Sequence, residues 1–289
     1  MRLFLLTALT MLAFAANSLL TRAGVASGTD PVSFAVIRVL AGAGVLAVLA
    51  LATRGSLPLR RKGGRAWQYL LLSVLGLVVY LGGFSMAYLT LDAGVGALIL
   101  FATVQAGLFG AAVATGQPIG WMRWLGMGIA LTALAWLLWP GPDARIDLFG
   151  AGLMVCAGLG WALYTWQGRG SAWALGDTAA NFLWASLALL LVWLPLGGAV
   201  TAQGLLWGVV SGALASGLGY ALWFHVLPQI QTTTAALVQL TVPVIAILGG
   251  ALLLGEALSL QVGLACLGVI GGIALGLRPA QPKRGSNGS

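Results

Sequence analysis

The chain has 289 residues, of which 60% are hydrophobic and only 7% are charged, and its formal net charge is +8. A soluble globular protein carries about 25% charged residues, so a chain with this composition cannot bury its apolar surface in a soluble core. The apolar runs are continuous, whereas the strands of a membrane β-barrel alternate apolar and polar residues. We therefore predict an all-α polytopic membrane protein.

Apolar runs of about 18 to 24 residues, the length that a helix needs to cross a bilayer, predict ten transmembrane helices. Residues 1–28 have the basic start and apolar run of a signal peptide, but we expect them to be retained as the first helix, because a later span needs that partner. In chain order the predicted spans are 3–21, 32–53, 67–89, 93–115, 119–139, 148–167, 178–197, 203–225, 232–254 and 259–277.

The basic residues predict how these helices are oriented in the membrane. If the N-terminus is cytoplasmic, most lysines and arginines, including those in the segment 54–65, fall in cytoplasmic loops or in the C-terminal tail. This agrees with the positive-inside rule, and ten spans bring the C-terminus back to the cytoplasm. The positive charge is thus explained by membrane orientation, and we predict no nucleic-acid partner.

Two stretches of the chain share one pattern and predict an internal repeat. Residues 232–256 form an apolar run that carries Gln239 and Pro243, and a weaker copy, with Gln105, occupies residues 93–117. The chain then divides into five-helix repeats at 1–145 and 146–278, followed by a tail at 279–289 that we predict to be disordered and cytoplasmic. Because five is odd, the second repeat enters the membrane inverted. Inverted repeats are typical of secondary transporters, which bind substrate near mid-membrane between the repeats.

The sequence lacks the residues that several other functions require. No aspartate or glutamate lies well inside a predicted span, and neither the nucleotide-binding motif GxxxxGK[ST] nor a nucleophile with a nearby base is present. The two cysteines, Cys156 and Cys266, are isolated, so they lack the spacing of a metal site. We predict a protein that is not an enzyme and that needs no cofactor or metal.

The predicted spans do contain neutral polar and aromatic residues. In lipid such groups need partners, so they either join helices by hydrogen bonds or line a shared cavity. Amides and aromatic rings suit a neutral or zwitterionic solute with an apolar side chain. Pro243, in mid-span, is interpreted as a hinge. The candidate substrate-binding residues are Asn17, Tyr80, Gln105, Trp161, Tyr164, Tyr220 and Gln239.

Arg38 and two glycine stripes each allow two interpretations, whereas Glu256 allows one. Arg38 either snorkels to the outer interface or faces the mouth of a cavity and attracts a carboxylate. Glu256 is expected at the outer face, where it caps the turn into the last span. Glycine stripes at 204–216 and 268–276 allow close helix packing, either inside one chain or at a dimer face. The protein is accordingly a monomer or a homodimer.

The chain resembles the EamA-type branch of the drug/metabolite transporter superfamily. The resemblance covers about residues 3–278 and rests on the ten spans, on the proline of Val242-Pro243-Val244, and on Leu254-Gly255-Glu256 before a glycine-rich last span. Within that branch the chain is most similar to aromatic and neutral amino acid exporters of the YddG type. The first repeat departs from the second, since Gln105 stands where Pro243 stands later.

This resemblance implies a basket-like bundle with a central cavity and alternating access by rocking of the two halves. It also implies export of neutral or aromatic amino acids across the bacterial inner membrane. Export of other metabolites or drugs is an alternative within the same class. A non-transporting scaffold, or an enzyme that acts on lipid, is an alternative of another class.

Overall fold

The computed structural model describes residues 1–57, 66–117, 119–139, 146–168, 174–226, 229–230 and 238–277. Within these ranges the chain is helical and contains no β-strand. The helices are α1 (Arg2–Ala26), α2 (Pro31–Arg54), α3 (Ala66–Ala87), α4 (Ala93–Ala114), α5 (Trp121–Leu137), α6 (Leu148–Gly168), α7 (Ala174–Leu196), α8 (Ala202–Val210, then Ser211–Leu218 and Gly219–Val226), α9 (Thr241–Leu254) and α10 (Leu260–Gly276). The predicted tail at 279–289 and the predicted repeat boundary at residue 145 lie outside the described residues.

The prediction of an all-α multi-pass membrane protein is confirmed. In the described part of the chain, seven helices, α1 to α4 and α6 to α8, are long and apolar enough to cross a membrane. Helices α9 and α10 are apolar but shorter, with 14 and 17 residues. The count of ten transmembrane helices stays a prediction.

Local sequence signals explain where several helices begin. Asp30 precedes Pro31 and accepts a hydrogen bond from the Ser33 N–H at 2.8 Å, which satisfies one of the free N–H groups at the start of α2. The hydroxyl of Thr201 accepts in the same way from the Gly204 N–H at 2.9 Å. These two caps fix the entry of α2 and α8, two helices that pack against each other.

The contacts between helices follow a two-fold pattern. Helix α2 packs on α7, α4 on α9, and α5 on α10. The packing of α3 on α6 has a counterpart in α8 on α1, that of α4 on α6 in α9 on α1, and that of α2 on α8 in α7 on α3. Exchanging each of the helices α1 to α5 with the helix five places later therefore maps these contacts onto one another.

The two glycine stripes are used for packing inside the chain. A Cβ atom on Gly126 of α5 would collide with the carbonyl oxygen of Gly272 on α10, and one on Gly272 would lie 2.5 Å from that of Gly126. A Cβ on Gly212 of α8 would likewise collide with the carbonyl of Arg38. Of the two interpretations, close packing within one chain is the one seen in the structure.

The ninth predicted span, 232–254, is interrupted at Leu240. Residues 231–237 lie outside the described residues; Val238 and Gln239 are helical, Leu240 lies in a turn, and α9 runs from Thr241 to Leu254. Pro243 consequently lies in the first turn of α9, where its missing N–H is tolerated. The same missing N–H leaves the Gln239 carbonyl without its helical donor, which explains why the helix is interrupted there.

One end of the bundle carries hydrogen bonds between its loops, and we call it the Glu256 end. It is formed by the loops 27–30, 88–92, 197–201 and 255–259. The Asp30 N–H donates to the Ala199 carbonyl at 2.8 Å, and the hydroxyls of Thr29 and Thr201 are 2.9 Å apart. These contacts join the first half of the chain to the second.

The expected role of Glu256 was wrong. Its carboxylate accepts from the Ala93 N–H at 2.7 Å, so it caps α4 of the other half, and its oxygen lies 3.9 Å from Nε of Arg22. The hydroxyl of Ser259 caps α10 instead, accepting from the Val262 N–H. Glu256 thus ties the two halves together at this end.

Candidate substrate site

A cluster of four aromatic rings joins three helices inside the bundle. The ring of Trp161 on α6 lies 4.9 Å from that of Tyr80 on α3, 5.4 Å from that of Tyr164 on α6 and 5.3 Å from that of Tyr220 on α8. The three tyrosines are buried, and Trp161 is half-buried. The structure thus brings together four of the seven predicted site residues, with Trp161 at their centre.

Close packing of α3 on α6 places these rings. A Cβ on Gly76 would lie 2.7 Å from the Gly160 carbonyl oxygen, and a Cβ on Gly160 would lie 2.7 Å from that of Gly76. The two backbones therefore touch directly beside Trp161. Since Trp161 and Tyr164 are three residues apart, they share one face of α6. Glycine pairing thus determines how near Tyr80 comes to Trp161.

Asn17 connects α1 to α8 through two serines. Its Oδ1 atom accepts from the hydroxyls of Ser211 at 2.9 Å and Ser216 at 3.1 Å. In an α-helix, residues five apart point about 140° away from each other. Here the segment Ser211–Leu218 is a π-helix, whose wider turn brings residues five apart towards one face. This segment lets both serines reach the same oxygen atom.

Arg38 of α2 lies buried beside the aromatic cluster, with 1% of its surface exposed. Its Nη2 donates to the Tyr80 hydroxyl at 2.7 Å, and its Nε donates to the Ser216 hydroxyl at 3.3 Å. Its guanidinium carbon lies 5.3 Å from the ring centre of Tyr80 and 4.9 Å from that of Phe84. Arg38 thus links the Asn17–serine network to the aromatic rings.

This burial excludes the snorkelling interpretation of Arg38. A snorkelling side chain would reach the interface, whereas this one ends on buried partners about 10 Å along α2 from Pro31, at 1.5 Å per residue. Burying an ion costs several kcal/mol. Cation–π contacts return about 2 kcal/mol when desolvated. Such a residue in a membrane protein generally marks a functional site.

The remaining predicted residues lie on other elements. Gln105 is half-buried on α4, and Gln239 is half-buried just before α9. Helices α4 and α9 pack on each other, but the described contacts do not join Gln105 to the aromatic cluster. Pro243 is buried in the first turn of α9. The role of these three residues stays a prediction.

The sequence analysis did not group Arg38, Ser211 and Ser216 into one site. A single basic residue inside an apolar run was the signal for Arg38. The serines lie five apart, which gives no shared face in an α-helix, and nothing in the sequence predicts the π-helical turn that aligns them.

Metal binding finds no support in the described residues, which contain no group of three or more histidine, cysteine or acidic side chains that could hold an ion. Cys156 is exposed, Cys266 is buried, and His225 is exposed on α8.

Comparison with known proteins relates the second half of the chain to a transporter family. A model of the EamA-like transporter family matches residues 148–278, which include α6 to α10. The chain is 47% identical over 282 residues to a Pseudomonas aeruginosa protein named Uncharacterized protein PA1977, covering 96% of this chain and 95% of that protein. It is also similar to a crystal structure of a protein, with a TM-score of 0.67, 17% identity and coverage of 95% of this chain and 97% of that chain.

Two further relatives match over about half of their length. The threonine/homoserine exporter RhtA of Escherichia coli strain K12 is 30% identical over 156 residues, which cover 51% of this chain and 52% of that protein. RhtA of Salmonella typhimurium strain LT2 is 31% identical over 139 residues, covering 45% and 46%.

Proposed function

We propose that this chain, whose residues 148–278 match the EamA-like transporter family, is a member of the drug/metabolite transporter superfamily and exports neutral amino acids, aromatic ones included. The chain is a membrane transporter of small molecules, and the substrate class is our proposal. The membrane is the bacterial inner membrane, with both termini cytoplasmic, and the working unit is a monomer or a homodimer. Transport proceeds by alternating access between two inverted five-helix halves.

The observation that carries this proposal is the aromatic cluster around Trp161. Tyr80 comes from the first half, whereas Trp161, Tyr164 and Tyr220 come from the second. A solute held between rings from both halves changes its contacts whenever one half moves against the other. Aromatic faces suit apolar and aromatic side chains, and the nearby network of Asn17 and Arg38 supplies polar groups for the rest of an amino acid.

Two other findings support the proposal. The two-fold pattern of helix contacts is the one expected of inverted repeats. RhtA, which matches over about half of its length, is named a threonine/homoserine exporter, so threonine and homoserine belong among the first solutes to test.

The direct test is transport by the purified chain in proteoliposomes. Vesicles are loaded with labelled phenylalanine, methionine, threonine or homoserine, and efflux is followed with and without a pH gradient. We expect efflux of at least one of these solutes to exceed that of protein-free vesicles. If none moves but an unrelated metabolite or drug does, the alternative substrate class is correct. If no solute of a broad panel moves, a scaffold or an enzyme acting on lipid replaces the transporter function.

The contacts at the Glu256 end support a conformation in which that end is closed. Arg22 donates to the Tyr88 carbonyl at 2.9 Å and lies next to Glu256, which in turn accepts from the Ala93 N–H. Opening this end separates Thr29 from Thr201 and breaks the ties made by Glu256. We therefore infer that Glu256 stabilises the closed form in alternating access.

Replacing Glu256 by glutamine is expected to remove a pH dependence of stability. Burial raises the pKa of Glu256 above its ordinary value, so the closed form binds the proton more tightly than the unfolded chain does. Stability contributed by this group is therefore gained as the pH falls through the raised pKa and is lost as the pH rises. Thermal unfolding at several pH values should show that the unfolding temperature of the wild type rises relative to that of Glu256→Gln as the pH is lowered.

Asp147→Asn is the matched comparison, because the contribution of Asp147 to stability changes with pH in the opposite direction. The Gly150 N–H and the Thr90 hydroxyl hold the pKa of Asp147 below its ordinary value. Its contribution is present above the ordinary carboxyl pKa and is lost as the pH falls through the lowered one. If the difference in unfolding temperature between the wild type and Glu256→Gln is constant over the whole pH range, the pKa of Glu256 is not raised in the folded protein.

A further inference from the structure

We propose that Arg38 binds the carboxylate of the transported solute, so that the substrates are compounds with a free carboxylate. This inference rests on the proposed function, since it names the group that the same site recognises. Two nitrogens of the guanidinium are engaged by the hydroxyls of Tyr80 and Ser216. The third, Nη1, is buried and has no hydrogen-bond partner. A donor on a residue that is 1% exposed is thus left free.

The charge of Arg38 is as important as its free N–H groups. A guanidinium stays protonated in proteins, and its partners here are neutral hydroxyls and rings. Among the described residues the one ion pair joins Arg22 to Glu256, so no described carboxylate neutralises Arg38. Buried charges in membrane proteins are generally paired. A monovalent anion is the ligand that matches this arrangement.

Two further buried hydroxyls, on helices that contact α2, lack hydrogen-bond partners. They are Oγ1 of Thr21 on α1 and Oγ of Ser85 on α3, and α1, α2 and α3 contact one another. Ser85 follows Phe84, whose ring lies against the Arg38 guanidinium. Buried polar groups are nearly always hydrogen-bonded, and a carboxylate offers about four acceptor sites on two oxygens. Three helices that contact one another thus each carry a buried donor without a partner.

The geometry also connects this anion site to the aromatic cluster. Tyr80 bonds Arg38 through its hydroxyl, and its ring packs 4.9 Å from that of Trp161. One tyrosine therefore separates the guanidinium from the half-buried tryptophan. A solute that places an apolar side chain against Trp161 and a carboxylate towards Arg38 uses both parts of the site, and amino acids carry both groups. Uncharged or cationic apolar drugs leave Arg38 unpaired.

Paired ligands that differ only at the carboxyl group test the proposal. We would measure binding to the full chain in nanodiscs by calorimetry, using phenylalanine, threonine and homoserine with their carboxamides, and also benzoate with benzamide. The wild type is expected to bind each acid at least about tenfold more tightly than its amide, as charged hydrogen bonds require. Arg38→Met should remove this preference, and Arg38→Lys should keep part of it. Arg123→Met, which removes an exposed arginine of α5, should behave as the wild type.

The outcomes separate this proposal from the proposed function. If the acids and amides bind equally to the wild type, or if Arg38→Met binds the acids as the wild type does, Arg38 does not bind carboxylates, although amino acid transport can still stand. If benzoate is preferred through Arg38 while no amino acid binds, the carboxylate site is supported and the amino acid substrate is wrong.

Two controls keep the test decisive. Binding is repeated in chloride and in gluconate buffers, because chloride also fits a single guanidinium. If chloride alone binds in an Arg38-dependent way and no carboxylate competes with it, the site is one for inorganic anions and the proposal fails. If Arg38→Met does not fold, Arg38→Lys and Tyr80→Phe replace it. Tyr80→Phe removes the hydroxyl that holds Nη2, so it should alter the affinity for acids and leave that for amides unchanged.

Discussion

Replacing Trp161 by alanine is expected to lower substrate affinity, and transport at low substrate concentration, by at least about thirtyfold. Trp161 touches Tyr80, Tyr164 and Tyr220, so its removal takes away the ring on which the other three converge. Central aromatic residues in a binding site typically contribute about 2 kcal/mol or more, which corresponds to this factor. Efflux from proteoliposomes, measured over a range of internal concentrations, gives the size of the loss.

Trp121→Ala provides the control for this experiment. Trp121 begins α5 and is 67% exposed, so its removal changes the tryptophan content without touching the aromatic cluster. Both variants should be compared at equal amounts of folded protein, judged by gel filtration. If Trp161→Ala transports as well as Trp121→Ala does, the cluster is not the substrate site, and the four rings serve only to pack α3, α6 and α8.

Hydropathy predicted the helices well where apolar runs end at strong local signals. The predicted span 93–115 agrees closely with α4 (Ala93–Ala114), and the predicted span 32–53 agrees with α2 (Pro31–Arg54), whose start is capped by Asp30. For the predicted span 232–254, hydropathy missed the interruption at Leu240, because it does not register the lost N–H of Pro243. The described helix α9 starts only at Thr241.

The candidate site was predicted in part, for a physical reason. Tyr and Trp side chains combine an aromatic ring with a polar group, which made Tyr80, Trp161, Tyr164 and Tyr220 candidates, and the structure brings their rings together. For Arg38 the sequence left two positions open, since the depth and rotation of a helix depend on its neighbours. The position of Arg38 follows from α8, where Gly212 lets the backbones of the two helices touch.

The glycine contact between α3 and α6 gives the second large effect. Replacing Gly160 by alanine is expected to lower the free energy of unfolding by about 1–3 kcal/mol, the usual cost of overpacking. The new Cβ would lie 2.7 Å from the Gly76 carbonyl oxygen and 2.9 Å from the Tyr80 nitrogen. Both are backbone atoms, so the conflict is relieved only if the helices separate. Thermal unfolding of the purified variant measures the loss.

Gly152→Ala on the same helix is the matched control, because a Cβ at Gly152 has no atom within 4 Å. Alanine favours a helix by up to about 1 kcal/mol over glycine, so this variant should be as stable as the wild type or more stable.

Gly76→Ala should resemble Gly160→Ala, and the double variant should lose less stability than the sum of the two single losses, since one separation of the helices relieves both conflicts. Separation also moves Tyr80 away from Trp161, so Gly160→Ala should lose transport together with stability. Equal unfolding temperatures for Gly160→Ala and Gly152→Ala would show that α3 and α6 do not depend on this close approach.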